Sequence, residues 1–222
     1  LRRATRRVRL RSDEEAIHDT RVATRRLNAA LSLWRTLLRD EPRRGAARML
    51  RRLRRRLGSV RELEVDASLL AERLPTLPAE ARLEAAAELG RLESRVERGR
   101  RRAARRLRPR RIQRLEGNVR RALDGFAARL HAAPLDAPRQ RLGAAAGEAE
   151  AALRAAAAST DDQQLHAARI TLKKWRYALE CLDAVEAGPE SPSRERLREM
   201  QQALGMVHDL AMLRDLLARR AA

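Results

Sequence analysis

The sequence predicts an all-α protein, and three observations lead there. Aromatic residues make up 2% of the chain, and the apolar residues are mainly Ala and Leu, which suit closely packed helices better than sheets built from aromatic and β-branched side chains. Apolar positions recur at helical spacing along nearly the whole length. The interruptions are short and carry capping or helix-breaking residues, at Ser12, Asp40 to Pro42, Leu74 to Pro78, Pro109, Pro134 to Pro138, Ser159–Thr160 and Gly188 to Pro192.

Taken in order, these breaks delimit helices over 1–11, 13–39, 43–73, 79–107, 110–131, 139–158, 161–187 and 193–220, joined by short turns. The second helix opens on Ser12-Asp13-Glu14-Glu15, a capping box in which the hydroxyl and a Glu side chain satisfy backbone N–H groups that lack intrahelical partners. Thr160-Asp161-Asp162-Gln163 offers the same chemistry to the seventh.

Those two starts belong to an internal repeat. At an offset of 148, SDEEAIHDTRVATRRLNAAL overlies TDDQQLHAARITLKKWRYAL, aligning His18 with His166, Arg21 with Arg169, Arg25 with Lys173 and Arg26 with Lys174. At an offset of 147, LRRRLGSVRELEVDASLL overlies MQQALGMVHDLAMLRDLL, aligning Gly58 with Gly205 and Glu62 with Asp209. Two similar helical halves follow, 1–133 and 139–222, within a single domain spanning 1–222. Residues 79–131 form the connecting hairpin of the first half, and the second, without a counterpart after Ala222, is expected to be incomplete.

Charge narrows the partner. Fifty Lys and Arg against thirty Asp and Glu leave a formal net charge of +20, which calls for a polyanion. The basic residues are Arg except for Lys173 and Lys174, so guanidinium forks matched to phosphate oxygens dominate. Trp34, Phe126, Trp175 and Tyr177 are the only aromatic residues, which weighs against a reader that stacks bases. Arg51 to Arg56 and the nine arginines between Arg98 and Arg111 are further candidates for an anion track.

Several classes lose ground. Cys181 has no second cysteine to pair with, and no apolar run approaches the roughly 20 residues of a membrane span. A Gly-rich phosphate loop, a nucleophile elbow and an HExxH pair are all missing, so no catalytic residue is expected. His18-Asp19 and His208-Asp209 are adjacent pairs that diverge by about 100° on a helix, which makes poor metal sites. No cofactor, metal or membrane partner is therefore predicted, and the chain reads as intracellular and cytoplasmic.

His18, Arg21 and Arg25, at i, i+3 and i+7, share one helix face. His166, Arg169 and Lys173 repeat it, with Arg26 and Lys174 flanking. Gly58 and Gly205 lie inside helical patterns and read as points of tight helix packing. Glu62 and Asp209 are expected to pair with arginines of the basic helices.

HDTRVATRRL, HAARITLKKWRYALE, LGSVREL and LGMVHDL resemble the paired motifs of the CHAD family, the conserved histidine α-helical domain, over about Ser12 to Leu217. The resemblance implies two pseudo-symmetric four-helix-type bundles of long antiparallel helices, with basic helices facing a central cavity or groove. It also implies non-catalytic binding of inorganic polyphosphate and location at polyphosphate granules. The implied contact residues are His18, Arg21, Arg25 and Arg26 from the first motif, and His166, Arg169, Lys173, Lys174 and Arg176 from the second. The glycine-bearing helices extend this set with Arg51, Arg54, Arg55, Arg61 and His208, while Tyr177 is expected to pack beside it. RNA or DNA binding, or an accessory role beside a phosphate-processing enzyme, is the alternative. Nothing in the sequence sets the oligomeric state.

Overall fold

The computed structural model describes residues 1–10, 14–133, 135–159, 161–186 and 195–206, and every regular element among them is helical, as the composition requires. The helices are α1 Arg2–Leu10, α2 Glu14–Leu33, α3 Asp40–Arg73, α4 Ala79–Arg106, α5 Pro109–Leu123, α6 Phe126–Ala132, α7 Asp136–Ala157 and α8 Asp162–Glu186. Residues 195–206 form α9, and a short 3-10 turn, Leu74–Thr76, joins α3 to α4.

Four boundaries depart from the sequence expectation. α3 and α7 begin before Pro42 and Pro138, not after them, because a first-turn proline gives up only an N–H that has no intrahelical acceptor. The helix expected over 110–131 is two, broken at Gly125, whose φ of 69° lies in the left-handed region. α2 stops at Leu33 instead of running to 39. Arg141 Nη1 donates to the Leu33 carbonyl at 2.9 Å and Arg129 Nε to the Leu37 carbonyl at 2.7 Å. These two guanidiniums satisfy carbonyls that a continuing helix would otherwise have used. The proposed caps at Ser12 and Thr160 both lie outside the described residues. At α8 the capping side chain is Asp161, whose Oδ1 accepts from the Gln163 N–H at 2.9 Å.

The chain forms two compact units, each drawn from separated stretches, so that residues 1–133 contribute to both. The first holds Leu1–Thr24 and Arg48–Leu115; the second holds Arg25–Ala47 and the described residues from Glu116 onward.

In the first unit, α3 and α4 run antiparallel. Leu57 and Val60 meet Ala103 and Leu107 at one end, and Leu70 meets Ala85 and Leu92 at the other. Val8 of α1 and Ala16 and Ile17 of α2 close the first cluster. Each fully buried Leu here contributes about 1.5–3 kcal/mol. Arg7 ties α1 to α2 through Glu15 at 2.7 Å and Asp19 at 3.0 Å.

In the second unit, α7 packs on α8. Small buried residues, Ala149 and Ala156 on one helix and Ala168 and Ala178 on the other, suit a close approach. Arg139 at the start of α7 reaches Glu186 at the end of α8, at 2.9 Å, so the pair is antiparallel. Trp34 meets Phe126 edge-on, with ring centroids 5.8 Å apart. At the start of α3, hydrogen bonds from Arg43 and then Arg44 hold the Asp40 carboxyl below the usual carboxylate range.

Candidate functional site

The apolar side of α2, carried by Ile17, Thr20, Thr24 and Leu31, is buried. Arg21 and Arg25 lie about 60–100° round the helix from the middle of that stripe and are half-buried, while His18 and Arg26 are exposed. A continuous helix thus presents four of the candidate residues, His18 and Arg21 in the first unit and Arg25 and Arg26 in the second.

In the first unit, Gly58 of α3 explains where Arg21 goes. A Cβ built on Gly58 would lie 3.4 Å from Arg21 Nη1 and 4.0 Å from Glu62 Oε1, with no described backbone atom of another helix within 4 Å, so this glycine marks the close approach of a guanidinium and not the tight helix packing expected from sequence. Arg51, Arg54, Arg55 and Arg61 stand at i−7, i−4, i−3 and i+3 from Gly58, on the same face of α3. The first three are exposed. Arg61 is held differently, with its Nη1 3.6 Å from Glu64 Oε2. Glu64 also takes Arg100 Nε of α4 at 2.9 Å, and its side chain is 1% exposed. The buried carboxylate that anchors arginines in this unit is therefore Glu64; Glu62, the residue expected from sequence, is exposed, with its Oε1, like Arg21 Nη1, close to Gly58. A buried carboxylate demands such partners, because its charge has no water to solvate it.

In the second unit, His166, Arg169, Lys173 and Arg176 fall at i, i+3, i+7 and i+10 on α8, along one stripe between the buried Ala168–Leu172 face and the buried Tyr177. Glu180, at i+14, ends the stripe. Its Oε1 accepts from Arg176 Nη1 at 2.8 Å, and its Oε2 lies 3.2 Å from Arg26 Nε of α2. Cys181 beside it directs its Sγ toward the Arg26 carbonyl at 4.0 Å. The end of the first basic motif thus meets the end of the second. Tyr177 packs as expected, with the Arg176 guanidinium over its ring at 4.6 Å. Lys174 lies off the stripe and reaches Glu148 of α7 at 3.5 Å. Burial, reinforced by the Glu180 carboxylate, pushes the Cys181 thiol up to about 11.

Glu64 and Glu180 were not singled out by sequence reasoning. Glu180 stands inside the quoted motif HAARITLKKWRYALE, four residues after Arg176, and that spacing was the available signal. His208 and Asp209 lie outside the described residues, and no described atom comes within 4 Å of a Cβ built on Gly205. Among the described residues no group of three or more His, Cys, Asp or Glu could hold a metal ion, and no helix is long and apolar enough to cross a membrane. The two clusters are dense in guanidinium donors, of which Arg61, Arg26 and Arg176 are held by carboxylates, and guanidiniums recognise phosphate oxygens in pairs.

A family model described as CHAD domain matches residues 1–218. Among solved structures, the chain is similar to the crystal structure of the CHAD domain from the plant Ricinus communis. The TM-score is 0.71 and the identity 26%, covering 99% of this chain and 73% of that one. No curated protein matches the chain significantly.

Proposed function

Because the chain belongs to the CHAD domain family, a family associated in general with polyphosphate binding, we propose that it binds inorganic polyphosphate through the basic faces of α2, α3 and α8, without turning it over. In the cell this binding would recruit the protein to polyphosphate granules. The observation that carries the reading is the meeting of the two repeated motifs at Glu180, which sets Arg26 at the end of the α8 stripe of His166, Arg169, Lys173 and Arg176.

A phosphate polymer carries charge at every unit and offers no base to stack. A row of forks without an aromatic platform suits it, and binding then gains from release of condensed counterions. The Arg26 side chain is 58% exposed and meets Glu180 through its Nε, so its terminal nitrogens can turn toward phosphate. Arg51, Arg54 and Arg55 supply the corresponding exposed row on α3.

The test is fluorescence anisotropy with end-labelled linear polyphosphate at near-physiological salt, with single-stranded RNA of matched charge as competitor. Wild type should bind and resist the RNA. The Arg21→Ala/Arg25→Ala/Arg169→Ala/Lys173→Ala variant should bind weakly, and its dependence of log K on log salt should flatten by about 3, from about 0.7 per lost phosphate contact. Equal competition by RNA with an unaffected variant would refute the reading and leave a diffuse basic surface.

A further inference from the structure

Glu180 is an acid placed among cations that a polyanion is proposed to contact. On charge alone it should oppose binding, since a unit charge about 7 Å from a phosphate in water changes affinity by two- to threefold. Its surroundings say otherwise. Its side chain is 10% exposed, and its two oxygens go to different helices, Oε1 to Arg176 of α8 and Oε2 to Arg26 of α2. Arg176 is 13% exposed and also lies over the buried Tyr177 ring, so its rotamer is fixed from two sides. Arg26 is exposed beyond its Nε, so that contact with Glu180 sets the direction in which its terminal nitrogens point.

An exposed arginine loses considerable side-chain freedom when it engages a ligand, and one already held in place loses less. The contrast with Glu148 is instructive. That acid lies near Lys174 at 3.5 Å, but both side chains are 60% exposed, so it screens a charge without fixing a geometry.

We infer that Glu180 is a positioning residue for polyphosphate, orienting Arg26 and Arg176 so strongly that removing its negative charge weakens binding of a polyanion. This rests on the polyphosphate reading above. Sequence alone hides it, because Glu180 overlies Ser32 in the repeat and the first copy has no equivalent acid.

The test is the sign of the change in affinity. Labelled polyphosphate is titrated into the full chain as wild type, Glu180→Gln, Glu180→Asp and Glu148→Gln, each checked by circular dichroism for native helicity, over a series of salt concentrations. Positioning predicts that Glu180→Gln binds about tenfold more weakly, the loss expected when two side chains must be immobilised by the ligand itself. Its salt slope should fall by about one contact, a change that a merely structural role would not produce. Glu180→Asp keeps the charge but draws the carboxylate back from both arginines, and should also weaken binding. Glu148→Gln should leave affinity unchanged or tighten it.

Glu180→Gln binding as tightly as wild type, or tighter, with an unchanged slope would overturn the inference while leaving the polyphosphate reading intact. Wild type failing to bind would overturn that reading instead. If Glu180→Gln does not fold, Glu180→Asp decides alone, and wild-type affinity in it refutes positioning.

Discussion

Removing the Arg100 guanidinium is the sharpest test of how the first unit is held together. Glu64 is the sole charged residue among the buried described residues. Arg100 Nε, at 2.9 Å, is its nearer cation, and Arg61, at 3.6 Å, the farther. Arg100→Met keeps most of the apolar stem and deletes the charge. Breaking a buried pair from one side costs about 3–5 kcal/mol when the remaining charge is left alone, and the retained Arg61 brings the expected loss to about 2–3 kcal/mol. For a chain of this size that lowers Tm by roughly 4–12 °C, read by thermal melting in far-ultraviolet circular dichroism. Glu64→Leu/Arg100→Leu should recover most of the loss, because an apolar pair leaves no charge to solvate. A fall of under about 2 °C in Arg100→Met, or a double variant less stable than the single, would refute the reasoning. Arg61, already engaged by Glu64, should matter less to polyphosphate affinity than the exposed Arg55.

Glycines should separate by backbone conformation. Gly125→Ala forces a left-handed Ala and sets its Cβ 2.9 Å from Arg129 Nη1, costing about 1–2 kcal/mol in a denaturant melt. Gly90→Ala, with nothing within 4 Å inside α4, should stabilise by about 0.5–1 kcal/mol. Cys181 should resist alkylation at pH 8 in the folded chain and react once urea unfolds it, because burial holds its thiol protonated up to about 11. Since the unfolded thiol ionises at lower pH, its contribution to stability is present below about pH 8.5 and is lost as pH rises toward 11. Alkylation of the native protein at the rate of the unfolded one would contradict this.

The helices were readable because 3.6-residue periodicity and Pro or Gly punctuation are local properties. Gly125 shows the margin, since Asp124-Gly125 is a turn signal that continuous periodicity on both sides obscured. The basic faces of α2 and α8 were readable for the same local reason. Their carboxylate partners were not. Arg100 and Glu64 are 36 residues apart, and Arg26 meets Glu180 across two helices far separated in sequence. Helical spacing fixes the face a side chain occupies, but only packing decides which face it meets. The end of α2 is a further case, where Arg129 and Arg141, about a hundred residues away, supply the stop that no adjacent residue announces.

α2, α3 and α5 each contribute residues to both compact units. The fragment 1–133 or 139–222, expressed by itself, would therefore present helices stripped of part of their packing, and neither should melt with a sharp transition. The doubled sequence motif therefore does not mark two separable pieces, since both compact units draw residues from its first copy.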